Sequence, residues 1–426
     1  MKNKKIHFMG VGGAGCSAVF AIAWELGYKI SGCDSQLGSP YLYKKLAKFV
    51  SAGHSSSHLA GVDLLVYSPA VPAYDPQNEE LKVAAERGIE SIPWEKFVAR
   101  ELLPNKFVIA VAGTHGKSTV TAMIGTILEK AGLDPTVLVG ALVSGWGRNY
   151  RVGKSKYFVI EADEYGEKFL NFSADIGVIT NIEFDHPEYF RDFEQVRKAF
   201  EKFVANMEKD SLLITGPNVD LENSPGRTAR VAEAEDWQLK MIGSFNKLNA
   251  GLAAAVARAL LVEEDEIKDA LESFNGLARR FEFRGEEKEV LVFDDYAHHP
   301  TAVLETLKAA REKFPNRRLW VVFQPHLFSR TKVLFDQFVS AFEASSADKI
   351  ILVDIFGARE KDTGGVNSSD LAKAIKEKDV KYFPGFEEAA AYLAKETFAG
   401  DVVICMGAGD IYKLSDILLS KLAGKG

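Results

Sequence analysis

Short apolar runs alternate along almost the whole chain with longer stretches in which apolar positions recur at helical spacing. The short runs predict strands buried on both faces, and the longer stretches predict amphipathic helices packed over them. Strand and helix in regular alternation give parallel sheets, so the expected class is α/β. Strands are expected at Ile6–Met9, Lys29–Gly32, Phe107–Val111, Tyr157–Ile160 and Ile176–Thr180, and a helix from Val120 to Lys130. In the last third, strands are expected at 289–294, 318–323, 349–354, near 380 and at 401–406. Helices there should begin near Pro300, Arg330, Ser368, Phe386 and Ile411.

Two breaks interrupt the pattern. Around Leu103-Pro104-Asn105 a helical segment ends just before the strand at Phe107. Between Asn275 and Arg284 a helix ends at Gly276, and a charged, hairpin-like stretch leads into Val290. A chain of 426 residues exceeds one ordinary core. Three domains are expected: an N-terminal Rossmann-like domain at 1–103, a central ATP-binding P-loop domain with a parallel sheet at 104–283, and a C-terminal Rossmann-like domain at 284–426. The polar stretch from Thr215 to Trp237 reads as a surface loop with at most short strands.

Composition narrows the class of partner. The chain is 47% hydrophobic and 26% charged, as ordinary globular proteins are, and its formal net charge of −7 argues against nucleic acid. The basic start, Met1 to Lys5, is followed by only Ile6–Met9 before glycines, far short of a signal-peptide core, and no run approaches a membrane span. Cys16, Cys33 and Cys405 show no CxxC spacing, which excludes a disulfide framework and a zinc knuckle and fits a reducing compartment. They read as small buried apolar side chains. A cytoplasmic protein with small-molecule partners is expected.

The strongest chemical signal is the strand Val108 to Ala112 followed by Gly113, Thr114, His115, Gly116, Lys117, Ser118 and Thr119. A strand, a Gly-rich turn and a helix N-terminus wrap backbone N–H groups around a phosphate. Lys117 can reach β- and γ-phosphates, and the Ser118 hydroxyl can ligate Mg²⁺. The next strand ends in Glu161-Ala-Asp163-Glu164, where a metal-holding carboxylate belongs, and another ends in Asn181-Ile-Glu183-Phe-Asp185-His186, which offers a second metal position. Asn246 and Asn249 share one face of the first turn of an Ala-rich helix, and their amides suit either an adenine edge or a helix cap.

A second glycine signature, Gly10-Val-Gly12-Gly13-Ala14-Gly15, follows the first strand, and Asp34 follows the next. This dinucleotide-binding fingerprint indicates a nucleoside diphosphate without saying which, so a nicotinamide dehydrogenase is the obvious rival. In the last third, Asp294-Asp295-Tyr296-Ala-His298-His299 and Gln324-Pro-His326-Leu-Phe-Ser-Arg330 both fall at carboxyl ends of strands. Open α/β sheets bind ligands at such ends. The histidine pair lacks a spaced third ligand for zinc.

Read in order, GVGGAG at 10–15, AGTHGKST at 112–119, EADE at 161–164, TNIEFDH at 180–186, NKLN at 246–249, LARRFEF at 277–283, DDYAHHPT at 294–301 and FQPHLFSRT at 323–331 resemble the Mur ligase family of peptidoglycan synthesis nearly end to end. The likeness is strongest to the branch that attaches L-alanine. It implies that the first domain holds the UDP part of UDP-N-acetylmuramate, with Gly12, Gly13, Ala14, Gly15, Asp34, His54 and Ser68 near it. ATP would lie on Gly113–Thr119 with Asn246 and Asn249 on the adenine side, Arg280 on phosphate and Asp295 on ribose. Ser118 and Glu161 would hold one Mg²⁺ and His186 a second, while Tyr296, His298 and Arg330 would recognise alanine. Lys117, Glu161, His186 and Arg280 would carry the catalysis. The lactyl carboxylate would attack the γ-phosphate, and the alanine amine would then attack the acyl phosphate, with domain closure excluding water. The resemblance is compatible with a monomer or a homodimer.

The chain departs from the family at Phe245, where a His is usual, at Gly166, where an Asp is usual, and at Leu327, where many relatives have Arg; its 200–243 segment is also short. Two further readings stand beside the alanine ligase: a ligase that joins a murein tripeptide to the same nucleotide sugar, and a sugar-nucleotide sensor without catalysis. The set Lys117, Glu161, His186 and Arg280 argues against the sensor, because mere binding needs none of it.

Overall fold

Three sheets account for the alternation read from the sequence. The computed structural model describes residues 4–221, 224–231, 235–358, 360–362 and 364–424. The basic tip at 1–3 and parts of the expected 215–237 loop lie outside the described residues.

The first sheet holds β1 (Lys5–Met9), β2 (Lys29–Asp34), β3 (Val50–Ala52), β4 (Leu64–Tyr67) and β5 (Glu90–Pro93), in the order β3-β2-β1-β4-β5. All its pairings are parallel, which is the doubly wound arrangement. Strand order reverses between β1 and β4, so their carboxyl ends open a crevice at Gly10 and Ser68. The helix Ala14–Glu25 is buried from Cys16 to Ala23, far more than a one-sided surface helix would be. Its second neighbour explains this: the Asn149 side-chain amide donates to the Ala14 carbonyl at 2.7 Å, and the Tyr150 hydroxyl to Glu25 at 2.9 Å.

Those two residues lie on the second sheet, which comprises β6 (Phe107–Ala112), β7 (Thr136–Val143), β8 (Arg148–Arg151), β9 (Tyr157–Glu161), β10 (Ile176–Ile179), β11 (Leu212–Thr215) and β12 (Arg227–Arg230). Its order is β12-β11-β10-β6-β9-β7-β8, and only β7 with β8 is antiparallel. The third sheet comprises β13 (Glu282–Glu287), β14 (Val290–Asp295), β15 (Leu319–Phe323), β16 (Lys349–Leu352), β17 (Asp379–Tyr382) and β18 (Val402–Met406), ordered β13-β14-β18-β15-β16-β17. The charged stretch before Val290 is an antiparallel hairpin, and β13 begins at Glu282, two positions before the residue expected to open the last domain. Alternate residues of β14, β15 and β18 enter two separate apolar clusters, so helices cover both faces.

The chain divides into two compact units. One gathers 1–182, 197–238 and 248–275 and holds the first two sheets, which the sequence placed in separate domains. The other gathers 183–196, 239–247 and 276–426 and holds the third. Among the described residues, no helix is long and apolar enough to cross a membrane.

Candidate nucleotide and ligation site

The phosphate loop follows from β6, whose residues from Val108 onward are buried and so must stop abruptly where the chain turns to the surface. Gly113 takes φ +133°, and a Cβ there would stand 1.9 Å from the Thr180 hydroxyl oxygen. Gly116 takes φ +85°, with the Asn249 amide oxygen 2.6 Å from where its Cβ would be. Only glycine fits both the backbone and the space. The loop is then braced from the end of β10: the Thr114 N–H donates to the Asn181 carbonyl at 3.0 Å and the His115 N–H to the Asn181 side chain at 2.9 Å. The helix starts at Lys117, one turn earlier than the sequence pattern placed it.

Lys117 Nζ donates to the Gly113 carbonyl at 2.6 Å and to Glu164 Oε2 at 2.6 Å. Burial favours the neutral amine, yet the carboxylates of Glu164 and Asp163 outweigh it and lift the Lys117 ammonium above the usual lysine range. The cation needed for phosphate chemistry is therefore secured before any phosphate arrives. Ser118 Oγ donates to Glu161 Oε1 at 3.0 Å, and Glu161 Oε2 accepts the Gly140 N–H at 2.6 Å. Burial pushes the Glu161 carboxyl up, while Lys117 and the Gly140 N–H pull it down. A hydroxyl and a half-buried carboxylate this close are hard oxygen donors of the kind Mg²⁺ takes.

The first glycine turn is built differently. Gly10, at φ +82°, packs so closely on Ser68 and Val71 that a Cβ would meet each at 2.9 Å, and Gly15 approaches the Trp94 ring. The Gly12 N–H donates to Asp34 Oδ2 at 2.6 Å, and Asp34 Oδ1 accepts the Gln36 N–H at 2.8 Å. The fingerprint points Asp34 at a ribose, but both its oxygens already hold backbone, so it first braces the turn. Gly12, Gly13, Ala14, Gly15, Asp34 and Ser68 are gathered here. His54 Nδ1 lies 3.2 Å from the sulfur of Cys33, the residue before Asp34.

In the unit with the third sheet, Asp185 accepts from Arg330 Nε at 2.8 Å, and both side chains are buried. Burial opposes the charge on Asp185, but His186 and Arg330 hold its carboxyl well below the usual range. Arg330 also approaches His326 at 3.1 Å and His186 at 3.4 Å, so all three guanidinium nitrogens are engaged and only 2% of the side chain is exposed. Arg330, expected to recognise alanine, is buried here and bonded to Asp185, His186 and His326. His298 Nδ1 lies 2.9 Å from the Tyr296 carbonyl, which can only accept, so Nδ1 carries the proton and Nε2 is the acceptor. Burial and then Arg330 hold the His298 imidazole well below its ordinary pKa, so it stays neutral. Leu327, where the family resemblance leads one to expect Arg, is buried at φ +69° as the cap of the helix Phe328–Val333.

Arg280 sits on a contorted segment. Arg279 and Phe281 both take positive φ, +60° and +50°. That conformation costs energy in non-glycine residues and is held by its bonds: the Phe281 N–H to Asp295 Oδ2 at 2.7 Å and the Tyr296 N–H to the Arg279 carbonyl at 2.7 Å. Arg280 lies over the Tyr296 ring at 5.1 Å. Asp295 accepts the Ala297 N–H as well, and burial pushes its carboxyl up against the pull of Arg280. Asn246 donates its amide to the Ile242 carbonyl at 2.7 Å, a bond back to the residue four before it, while Asn249 packs at Gly116. The sequence singled out none of Glu164, Thr180 or Asn181 as site residues, although all three lie within or beside motifs it did single out.

Comparison with known proteins identifies the family. Family models match at 5–103 (Mur ligase family, catalytic domain), 111–228 (Mur ligase middle domain) and 279–409 (Mur ligase, glutamate ligase domain). The UDP-N-acetylmuramate–L-alanine ligases of Clostridium tetani and Acetivibrio thermocellus are 39% and 38% identical to the chain. Each alignment covers 98% of this chain, and 98% and 96% of the respective relatives. The crystal structure of the UDP-N-acetylmuramate–alanine ligase of Thermotoga maritima superposes with a TM-score of 0.83 at 26% identity, covering all of both chains. A murein peptide ligase of Psychrobacter arcticus shares the fold, with a TM-score of 0.71 at 23% identity over 99% of both.

Proposed function

This chain belongs to the Mur ligase family and joins L-alanine to UDP-N-acetylmuramate with ATP, and we propose that it does so through an acyl phosphate formed at the 113–119 loop. The observation that carries the mechanism is Lys117, a half-buried ammonium fixed at the first residue of a helix by Gly113 and Glu164. In the first step a carboxylate must meet a triphosphate, and the repulsion between them is the main barrier an enzyme can lower by positioned charge. Lys117 and the loop N–H groups take phosphate charge, and Arg280 is assigned to phosphate as well. Asn249 faces the adenine side with Asn246, and Asp295 accepts from the ribose.

Ser118 and Glu161 would hold one Mg²⁺ and His186 a second, which would supply screening of the phosphate charge. The turn at Gly12, Gly13, Ala14 and Gly15, with Asp34, His54 and Ser68, receives the UDP part. For alanine, Tyr296 and the acceptor nitrogen of His298 meet the amino acid, and Arg330 keeps Asp185 and His186 in place. The spans 1–103, 104–283 and 284–426 divide these tasks as UDP-sugar holder, ATP holder and amino-acid holder. Three buried free thiols suit a cytoplasmic setting, as a monomer or a homodimer.

The tripeptide-joining alternative is separated by omission of substrates. With ATP, Mg²⁺ and UDP-N-acetylmuramate, phosphate release should require L-alanine; release with the murein tripeptide and none with L-alanine would overturn the reading.

A further inference from the structure

Beneath the first glycine turn lies a cluster that the ligase chemistry does not use. His7 from β1, Cys33 from β2, His58 from the turn Ser56–Leu59 and Glu80 from the helix Glu79–Glu86 present one donor atom each, all within 4.8 Å of one another. His7, Cys33 and Glu80 are at most 1% exposed, and the His58 side chain is 16% exposed. Around them the layer is apolar, with Met9, Leu59, Val62, Leu65 and Ala84.

We propose that these four side chains form a binding site for a tetrahedral transition-metal ion, zinc by the chemistry of its donors. Two imidazoles, a thiolate and a carboxylate are a zinc set, and the thiolate excludes Mg²⁺ and Ca²⁺ as the preferred occupant. The spacing fits. With metal–nitrogen and metal–oxygen bonds near ~2.1 Å and metal–sulfur near ~2.3 Å, tetrahedral donors stand about 3.3–3.7 Å apart. His7 Nε2 lies 3.3 Å from Cys33 Sγ and 3.6 Å from Glu80 Oε2, and Cys33 Sγ lies 3.3 Å from Glu80 Oε2. His58 Nδ1 lies closer, 2.7 Å from Glu80 Oε1, which brings the fourth donor to the same carboxylate.

The surrounding shell has the form that metal ligands need. The Ser31 hydroxyl sits 2.9 Å from His7 Nδ1, on the ring edge away from the cluster, where it orients the imidazole so that Nε2 faces the other donors. The Ser55 N–H donates to Glu80 Oε1 at 2.8 Å and fixes the carboxylate. His54, with Nδ1 3.2 Å from the sulfur and 4.0 Å from Glu80, stands at the rim as an exchangeable neighbour. Binding replaces the Cys33 sulfur–hydrogen bond by a sulfur–metal bond and releases that proton to solvent, so no redox partner is needed. Burial and the neighbouring Glu80 push the Cys33 thiol up, whereas bonds from His7, Ser55 and His58 bring Glu80 down to about 2 despite its burial. The carboxylate is thus already charged in a dry place, a state that a cation relieves.

The test uses the full chain without an affinity tag, stripped with chelator and titrated with Co²⁺ and then Zn²⁺ in excess Mg²⁺. One equivalent of Co²⁺ should give a sulfur-to-cobalt charge-transfer band with intense tetrahedral visible absorption, and Zn²⁺ should abolish both stoichiometrically. Cys33→Ser should remove the band and weaken Zn²⁺ by at least about a hundredfold, and Ser31→Ala should keep the band with about tenfold weaker binding. His186→Ala should bind like the parent. A parent protein that shows no charge-transfer band at one equivalent, or a Cys33→Ser protein with an unchanged one, overturns the proposal and leaves the cluster a hydrogen-bonded cage. Because the parent titration stands alone, a misfolded variant cannot rescue or sink it, and neither outcome bears on the ligase assay above.

Discussion

The two glycine turns in the compact unit of the first two sheets are the same backbone device put to different use. Each follows a buried strand, each needs left-handed glycines, and each opens a helix. At 10–15 the helix begins with Ala14, Gly15 and Cys16, and an anionic side chain, Asp34, is drawn onto the turn's own N–H. At 113–119 it begins with Lys117, and the anions nearby, Glu164 and Glu161, are drawn onto the lysine and the serine. Backbone N–H groups at a helix start suffice to seat a phosphate. Moving charge during a reaction takes a cation held in place, and only the second turn has one. The comparison separates a holding site from a working one within a single motif class.

The largest expected effect comes from removing that cation. Lys117→Ala should leave the fold intact, with an unchanged far-ultraviolet dichroism spectrum, and lower kcat by at least about a thousandfold, since a single lost electrostatic contact in an oxyanion-type site already costs about a hundred- to a thousandfold. Near-normal turnover in this variant would erase the distinction between the turns.

Glycine replacements sharpen the contrast. Gly113→Ala drives a Cβ to 1.9 Å from Thr180 on a left-handed backbone, so both thermal stability and ATP affinity should fall. Gly12→Ala meets the Asp34 carboxylate first, at 2.8 Å, which has to give way. Its effect should be an increase of about tenfold in KM for UDP-N-acetylmuramate, roughly 1.4 kcal/mol, with KM for ATP unmoved. Equal effects on both substrates would show that the turns do not act separately.

The smallest effect is on stability and pH. Glu95, in the same layer as the first turn, is 1% exposed, and neither oxygen has a side-chain partner; burial pushes its carboxyl up to about 7. A carboxyl whose folded pKa lies above its unfolded value binds more protons when folded, so stability falls as pH rises from roughly 4.5 to 7. Glu95→Gln should remove this slope and raise stability at pH 8 by roughly 2–3 kcal/mol, read from denaturant midpoints at several pH values. Glu161 and Glu164, which have partners in the second turn, give no reason to expect such a gain.

Much of this architecture was legible in the sequence because it is local. The strand, turn and helix at 107–130 announce themselves through a run of buried β-branched and apolar residues and two obligatory glycines, and the strands of the last third fell within a residue or two of their expected places. What was not legible depends on side chains meeting across distant elements. The pairing of Lys117 with Glu164 lies inside a recognised motif, yet spacing alone does not say which acid of Glu161, Asp163 and Glu164 takes the lysine. Arg330 is expected at the amino acid, and its enclosure with Asp185 comes from tertiary packing that spacing does not reveal. Cys33 read as an inert apolar side chain because its polar neighbours, His7, His54, His58 and Glu80, come from separate elements with no metal-binding spacing between them. The first and second sheets share a unit because Asn149 and Tyr150 grip one helix from its far side, a contact no periodicity reveals.

The resting partnership between Lys117 and Glu164 also sets a threshold on what can enter the loop. A chloride ion or a lone carboxylate brings a single negative charge, too little to draw an ammonium away from a carboxylate 2.6 Å distant that is itself sheltered from water. A polyphosphate brings several charges at once. The idle enzyme is therefore deaf to the common anions of its surroundings and responds to the rarer visitor that carries enough charge to break the pair.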